Sequence, residues 1–273
     1  MAYPEQCEVC PVNRESKLVR LGERAESTDY VIALAGNPNV GKSTVFNNLT
    51  GLRQHTGNWP GKTVARAAGA FSYDGANYKV VDLPGTYSLM STSTDEEVAR
   101  DFILFGRPDA CVIVIDATRV ERNLNLVLQV LEITDKAVVC VNLVDEAERK
   151  GITIDDRSLA RELGVPVVLA AARTGRGMPE LLRSIRDVVT GALECKPRRG
   201  WTEDRKVKQA VDELAKQIAA EVPGLPNVRW VALRLLAGDQ RIIDAMRSGE
   251  LKSLASGGGD GKRGIRREEG MAS

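Results

Sequence analysis

Gly36-Asn37-Pro38-Asn39-Val40-Gly41-Lys42-Ser43 is the stretch on which the reading of this chain turns. An apolar run, Tyr30-Val31-Ile32-Ala33-Leu34-Ala35, precedes it and reads as a short buried strand. Thr44-Val45-Phe46-Asn47-Asn48-Leu49-Thr50 follows and reads as the opening of a helix. Strand, glycine-bounded loop, Lys-Ser and helix form the context in which GxxxxGK[ST] specifies a phosphate-binding loop. Glycines let the main chain curl until its N–H groups converge on oxygens, and the helix N-terminus adds partial positive charge. Lys42 is placed to reach β- and γ-phosphates, and the Ser43 hydroxyl to hold Mg²⁺. The candidate phosphate-binding set is the loop itself together with Thr44.

Outward from this loop, Leu52 to Thr63 is rich in Gly, Pro and Asn and shows no periodicity, so it reads as a long functional loop. Ala68–Tyr73 and Asn77–Val81 read as strands joined by the hairpin turn Asp74-Gly75. Further on, the runs Cys111–Ile115, Ala137–Val141 and Val165–Leu169 read as strands. They alternate with helical patterns at Glu96–Phe105, Asn123–Glu132, Arg157–Leu163 and Pro179–Val189. Continuous apolar strands alternating with helices predict a mostly parallel sheet covered on both faces, here with one antiparallel edge strand. Beyond the linker Gly191–Gly200, helical spacing returns over Val207–Val222, Trp230–Leu236 and Ile242–Met246. The expected organisation is a polar arm (1–29), a nucleotide-binding domain (30–191), a helical accessory domain (192–255) and a disordered Gly-rich, charged tail (256–273).

Ligands of such a sheet bind beyond the C-terminal ends of its parallel strands, and the remaining polar motifs fall there. Asp82-Leu83-Pro84-Gly85 is a DxxG: a carboxylate able to hold Mg²⁺ through water, and a glycine amide able to meet a γ-phosphate. Asn142-Leu143-Val144-Asp145 follows a strand, and the Asp145 carboxylate can accept from guanine N1–H and the exocyclic amine, donors that adenine lacks. Ala171-Ala172-Arg173 follows the last strand, where main-chain N–H groups can meet the guanine oxygen. Four motifs in order, each at a strand end, make this a GTP-binding domain of the switch type. The fold class is α/β: a P-loop GTPase (Ras-like), mostly parallel sheet with helices on both faces, plus a small all-helical C-terminal domain.

Composition adds exclusions. A formal charge of +1 gives no bulk attraction for nucleic acid, so no nucleic-acid partner is expected. No run of about 18 apolar residues spans a bilayer, and the N-terminus lacks a signal-peptide pattern, so the chain as given reads as cytosolic. Cys111 and Cys140 lie in apolar runs and read as small buried hydrophobes. Cys7-Glu8-Val9-Cys10 has no second ligand pair nearby, which favours an arm over a metal or redox site.

The segments GNPNVGKSTVFNNLTG, TGNWPGKTV, VVDLPGTYSL and VNLVDEA together resemble the cytoplasmic G domain of the FeoB family of bacterial ferrous-iron transporters, over about Tyr30–Gly191. VALRLLAGDQRII resembles that family's helical domain more loosely. The resemblance implies a slow GTPase at the cytoplasmic face of the inner membrane, regulating Fe²⁺ transport by a permease region absent from this chain, with small cytosolic regulators as further partners. It implies GTP/GDP and Mg²⁺ as ligands, with Thr63 as the switch threonine at Mg²⁺ and the γ-phosphate. It also implies that Asn39 helps to hold an activating K⁺. Catalysis then rests on Asn39, Lys42, Thr63 and Gly85. The chain departs from Ras-like proteins in carrying Thr86 in place of the water-orienting glutamine, and Leu143 in place of the usual NxxD lysine. His55 and Trp59 fall in the switch segment, and His55 reads as a solvated loop residue. Two other readings stay open: a nucleotide-gated binding module with incidental turnover, and an RNA- or ribosome-associated GTPase.

Overall fold

A computed structural model describes residues 28–51, 54–59, 63–90, 93–198, 204–225 and 227–256. The Cys7–Cys10 motif, the N-terminal arm up to residue 27 and the tail beyond 256 lie outside the described residues. The described chain forms two compact units, divided between Lys208 and Gln209.

The first unit is built on a seven-stranded sheet in the order β2-β3-β4-β1-β5-β6-β7. Its strands are β1 (Tyr30–Gly36), β2 (Gln54–Asn58), β3 (Ala65–Tyr73), β4 (Ala76–Asp82), β5 (Ala110–Asp116), β6 (Ala137–Asn142) and β7 (Val167–Leu169). The apolar runs at β1, β5 and β6 occupy the centre, where almost every residue is buried, as a strand covered on both faces requires. The helices of this unit are α1 (Lys42–Thr50), α2 (Thr94–Phe105), α3 (Val120–Ile133), α4 (Val144–Arg149), α5 (Asp156–Leu163) and α6 (Met178–Thr190). Val45, Phe46 and Leu49 of α1 and Leu181, Ile185 and Val188 of α6 share one cluster with Ile32, Leu34, Val112, Val114 and Val138. On the sheet, α2 packs against β1 and α3 against β5 and β6. Local signals fix the ends: Ser93 and Asp155 accept from the Glu96 and Ser158 amides at the starts of α2 and α5.

The hairpin expected at Asp74-Gly75 is present, both residues taking positive φ (51° and 75°). The edge differs from the reading of the sequence. β3 alone runs against the other described strands, and β2 pairs outside it, Gln54 opposite Gly69 through Asn58 opposite Ala65. Strand β2 therefore lies inside the segment read as an aperiodic loop. Its sequence, Gln-His-Thr-Gly-Asn, carries no alternation, and its pairing comes from the neighbouring strand rather than from its own propensity.

The second unit holds most of α7 (Arg205–Glu221), then α8 (Val228–Leu236), α9 (Gln240–Arg247) and α10 (Glu250–Ser256). Its core includes Val211, Ile218, Trp230, Val231, Ile242 and Leu251. Asp239 caps α9 and pairs with Arg234 at 3.1 Å, joining two helices through one carboxylate.

Candidate functional site

The loop from β1 to α1 is built by steric exclusion. Gly36 sits on the central strand, where an added Cβ would lie 2.6 Å from the Val114 carbonyl oxygen. Gly41 has φ +79°, and a Cβ there would lie 2.3 Å from Asn142 Nδ2. Asn39 also takes positive φ, 66°, a conformation asparagine tolerates better than most residues. Helix α1 begins without a side-chain cap and without an acidic residue in its first turn, so its leading N–H groups stay available to an anion. Asn37, Pro38, Asn39, Gly41, Lys42, Ser43 and Gly85 line one cavity of about 560 Å³.

Lys42 extends along this cavity floor to the end of β4. Its ammonium donates to the Asp82 carboxylate and, at 2.7 Å, to the Leu83 carbonyl. Burial pushes the Asp82 carboxyl above the ordinary carboxylate range, and the Lys42 charge and hydrogen bond oppose that rise without cancelling it. Downstream, the Thr86 N–H donates to the Gly36 carbonyl at 3.2 Å, and Gly85 lies against Pro38. Thr86 itself is buried. The Leu89 N–H donates to Gln129 Oε1 of α3 at 2.6 Å, so this segment is held at both ends.

Asn142, at the end of β6 and 1% exposed, braces the other end of the site. Its Nδ2 donates to the Val40 carbonyl at 3.0 Å, and its Oδ1 accepts from the Ala172 N–H at 2.9 Å. One buried carboxamide thus ties the phosphate loop to the turn after β7. Asn48 Nδ2 of α1 adds a bond to the Ala172 carbonyl at 2.8 Å. Asp145 falls in the first turn of α4, and its Oδ2 receives Arg173 at 3.4 Å and Arg149 at 3.5 Å. Ala171 precedes the 3-10 turn Ala172–Thr174.

The structure thus brings together the loop residues, Lys42, Asp82 and Gly85 at one end, and Asp145, Ala171, Ala172 and Arg173 at the other, with Asn142 between. Thr44 stands on the first turn of α1. Thr63 is exposed and is not among the residues lining the cavity. Trp59 is buried, its ring edge-on to Phe102 of α2 with centroids 5.5 Å apart and Arg66 stacked over it. Sequence reasoning left Trp59 unassigned and missed Asn48 and Gln129. A poor helix former at a mid-helix position was the signal for Asn48. Nothing in the pattern marked Gln129. Among the described residues, no group of three or more His, Cys, Asp or Glu is arranged to hold a metal ion, and no helix is long and apolar enough to cross a membrane.

Comparison with known proteins agrees with this geometry. Residues 30–185 match the family model described as Ferrous iron transport protein B, and residues 204–257 the model described as FeoB cytosolic helical domain. The Fe(2+) transporter FeoB of Shigella flexneri is 41% identical over 213 residues, covering 76% of this chain and 27% of that protein. The chain therefore spans about a quarter of the length of the curated relatives it matches. The cytosolic domain of the T. maritima FeoB iron transporter in a GDP form superposes with a TM-score of 0.72 at 34% identity, covering 84% of this chain and 92% of that one. The same domain in a GMPPNP form gives 0.71 at 34% identity, covering 87% and 89%.

Proposed function

The chain belongs to the FeoB family of ferrous iron transport proteins, and from that premise we propose that its first unit binds and slowly hydrolyses GTP to regulate Fe²⁺ passage through a permease region in the same membrane protein. The observation that carries the reading is the Asn142 brace. It sets a carboxylate suited to guanine, on Asp145, in fixed relation to a loop suited to phosphates. A phosphate loop alone would serve any nucleotide; the joined pair selects one base.

In this reading the N–H groups of the loop and Lys42 take the phosphates, and Lys42 exchanges Asp82 for them. Asp145 accepts the two guanine donors, and the main chain at Ala171, Ala172 and Arg173 meets the guanine oxygen. Ser43, Asp82 and Thr63 would hold Mg²⁺, which neutralises charge on the phosphate oxygens when bound. The oxygen donor set fits that hard cation. Thr63 must move to join it. Asn39, at the cavity wall, would hold K⁺, whose charge would offset negative charge developing on the phosphates. Transport of iron, placement at the cytoplasmic face of the inner membrane and small cytosolic regulators belong to this reading, and family membership supports the first two.

The second reading, a nucleotide-gated binding module with incidental turnover, draws on Thr86. Thr86, at the glutamine's position, is buried and its N–H is bonded to the Gly36 carbonyl, so it offers no exposed side chain to orient a water. Single-turnover hydrolysis under saturating Mg²⁺ and K⁺ separates the two. The base reading is tested by titration. The chain should take GDP and exclude ATP, because a site built to bond a donor rejects an analogue lacking it by as much as about 10⁴–10⁵. Asp145→Asn should shift preference toward xanthine nucleotides. Comparable affinity for ATP and GTP would overturn the proposal.

A further inference from the structure

Asn37 is a cavity-lining residue whose buried side chain the phosphate reading leaves unexplained. It is 2% exposed, and neither its Nδ2 nor its Oδ1 has a hydrogen-bond partner among the described residues. Buried carboxamides are normally satisfied, because an amide stripped of water and given nothing in return is a net cost. The turn does not require asparagine at this position, since the positive φ values of the loop fall at Asn39 and Gly41. A small apolar residue would present the same main-chain N–H to a phosphate.

Gly85 lines the same cavity as Asn37 and lies against Pro38, the next residue along the loop. The main chain around Gly85 is fixed on both sides, by Leu83 N–H donating to Leu34 O at 2.9 Å and Leu89 N–H donating to Gln129. Between these points it leans on the phosphate loop. Thr86 N–H donates to Gly36 O, and a Cβ at Gly85 would lie 3.5 Å from Pro38 Cα. Pro84 has no N–H to give. When the Gly85 N–H is committed to a terminal phosphate, Thr86 carries the one main-chain donor left in residues 84–86. It already rests on the residue next to Asn37.

We propose that Asn37 is a positioning residue for the triphosphate-bound form, its carboxamide taking the main chain of residues 84–86 when Gly85 turns to the terminal phosphate. Oδ1 accepts the Thr86 N–H released from Gly36, and Nδ2 donates to a carbonyl of the same strap. A carboxamide offers both a donor and an acceptor, the complement of a peptide unit. The diphosphate has no group to hold Gly85 in that position, so the bonds form only with the triphosphate. The inference rests on the reading of the cavity as a GTP site.

The test compares the parent chain with Asn37→Ala and Asn37→Ser, titrated with GDP and with GMPPNP, and melted without nucleotide. Both variants should lower the ratio of GMPPNP to GDP affinity by about tenfold, the scale of one or two hydrogen bonds to a buried amide. Single-turnover hydrolysis at saturating GTP should fall with that ratio. Without nucleotide the variants should melt no more than about 2 °C below the parent, because no bond is lost there. Equal weakening toward both nucleotides overturns the proposal, as does failure of both variants to fold or a melting loss as large as that of a braced buried amide. A parent chain that binds neither nucleotide would sink the reading of the cavity, and the role of Asn37 with it.

Discussion

Replacing Asn142 by alanine removes the brace between the two ends of the site, and the structure sets the size of the effect. Two bonds go, Nδ2 to the Val40 carbonyl at 3.0 Å and the Ala172 N–H to Oδ1 at 2.9 Å. Both partners are main-chain groups beside a side chain that is 1% exposed, so water cannot simply replace what is lost. A buried group left without a partner costs about 1–3 kcal/mol. Two such groups give a loss on the order of 2–6 kcal/mol, or roughly 5–20 °C in melting temperature for a domain of this size. Asn142→Asp sharpens the prediction. It keeps an acceptor for Ala172 but sets a carboxylate oxygen against the Val40 carbonyl. It should therefore be worse than alanine at neutral pH and recover as acidification turns that oxygen into a donor. Melting by circular dichroism, with and without GDP, reads both effects. An alanine variant melting within about 2 °C of the parent would refute the reasoning, because it would mean the orphaned groups carry no cost.

Other expectations follow from the phosphate end. GTP hydrolysis should be faster in K⁺ than in Na⁺, with the difference lost in Asn39→Ala while GDP binding persists; equal rates in the two salts would leave Asn39 as a shaper of the loop. Asp82 sets a pH dependence. Its folded pKa is raised by burial, so the ionised form is disfavoured by folding, and its stability contribution falls as pH rises from the unfolded value near 3.8 through the raised folded value. Measured against pH, the stability of Asp82→Asn minus that of the parent should climb over that window and level above it; a flat or falling difference would contradict the burial of the charge. GDP should bind with micromolar affinity and leave unassisted, within seconds; release taking hours in stopped flow would rule this out.

The sequence showed what depends on local chemistry. The loop Gly36–Ser43 carries its own geometry in Gly36 and Gly41, and the buried runs at β1, β5 and β6 could only be central strands. The strand-end positions of Asp82 and Asn142 followed directly. What stayed hidden depends on partners distant in sequence. Strand β2 has no apolar period and exists because β3 offers it an edge. Trp59 was one residue in a loop until Phe102 and Arg66 enclosed it. Asn142 was legible as part of NxxD, but its partners, Val40 and Ala172, lie 102 and 30 residues away. Spacing therefore showed that the motif was there without showing that its asparagine works on the protein's own main chain.

The base end explains why selectivity and tight binding need not go together in this site. Asp145 Oδ2 already receives guanidinium groups from Arg149 and Arg173, and a guanidinium presents adjacent N–H donors much as the guanine edge does. Guanine therefore exchanges one set of donors for another at the same oxygen, and only the difference appears as affinity. Adenine lacks the paired N1–H and 2-amino donors that the exchange needs, so it would break the arginine contacts without matching replacement. Discrimination keeps its full size while the gain on binding guanine is reduced. The arginines are mostly exposed, and exposed pairs of this kind contribute about 0–1 kcal/mol each, so the reduction is modest. Leu143 acts in the same direction. It supplies apolar contact beside Gly41 but none of the polar tie to the phosphate loop that a lysine at that position would make. In the proposed reading, a site with these features recognises guanine through Asp145 and releases it readily, as a switch that resets unaided requires.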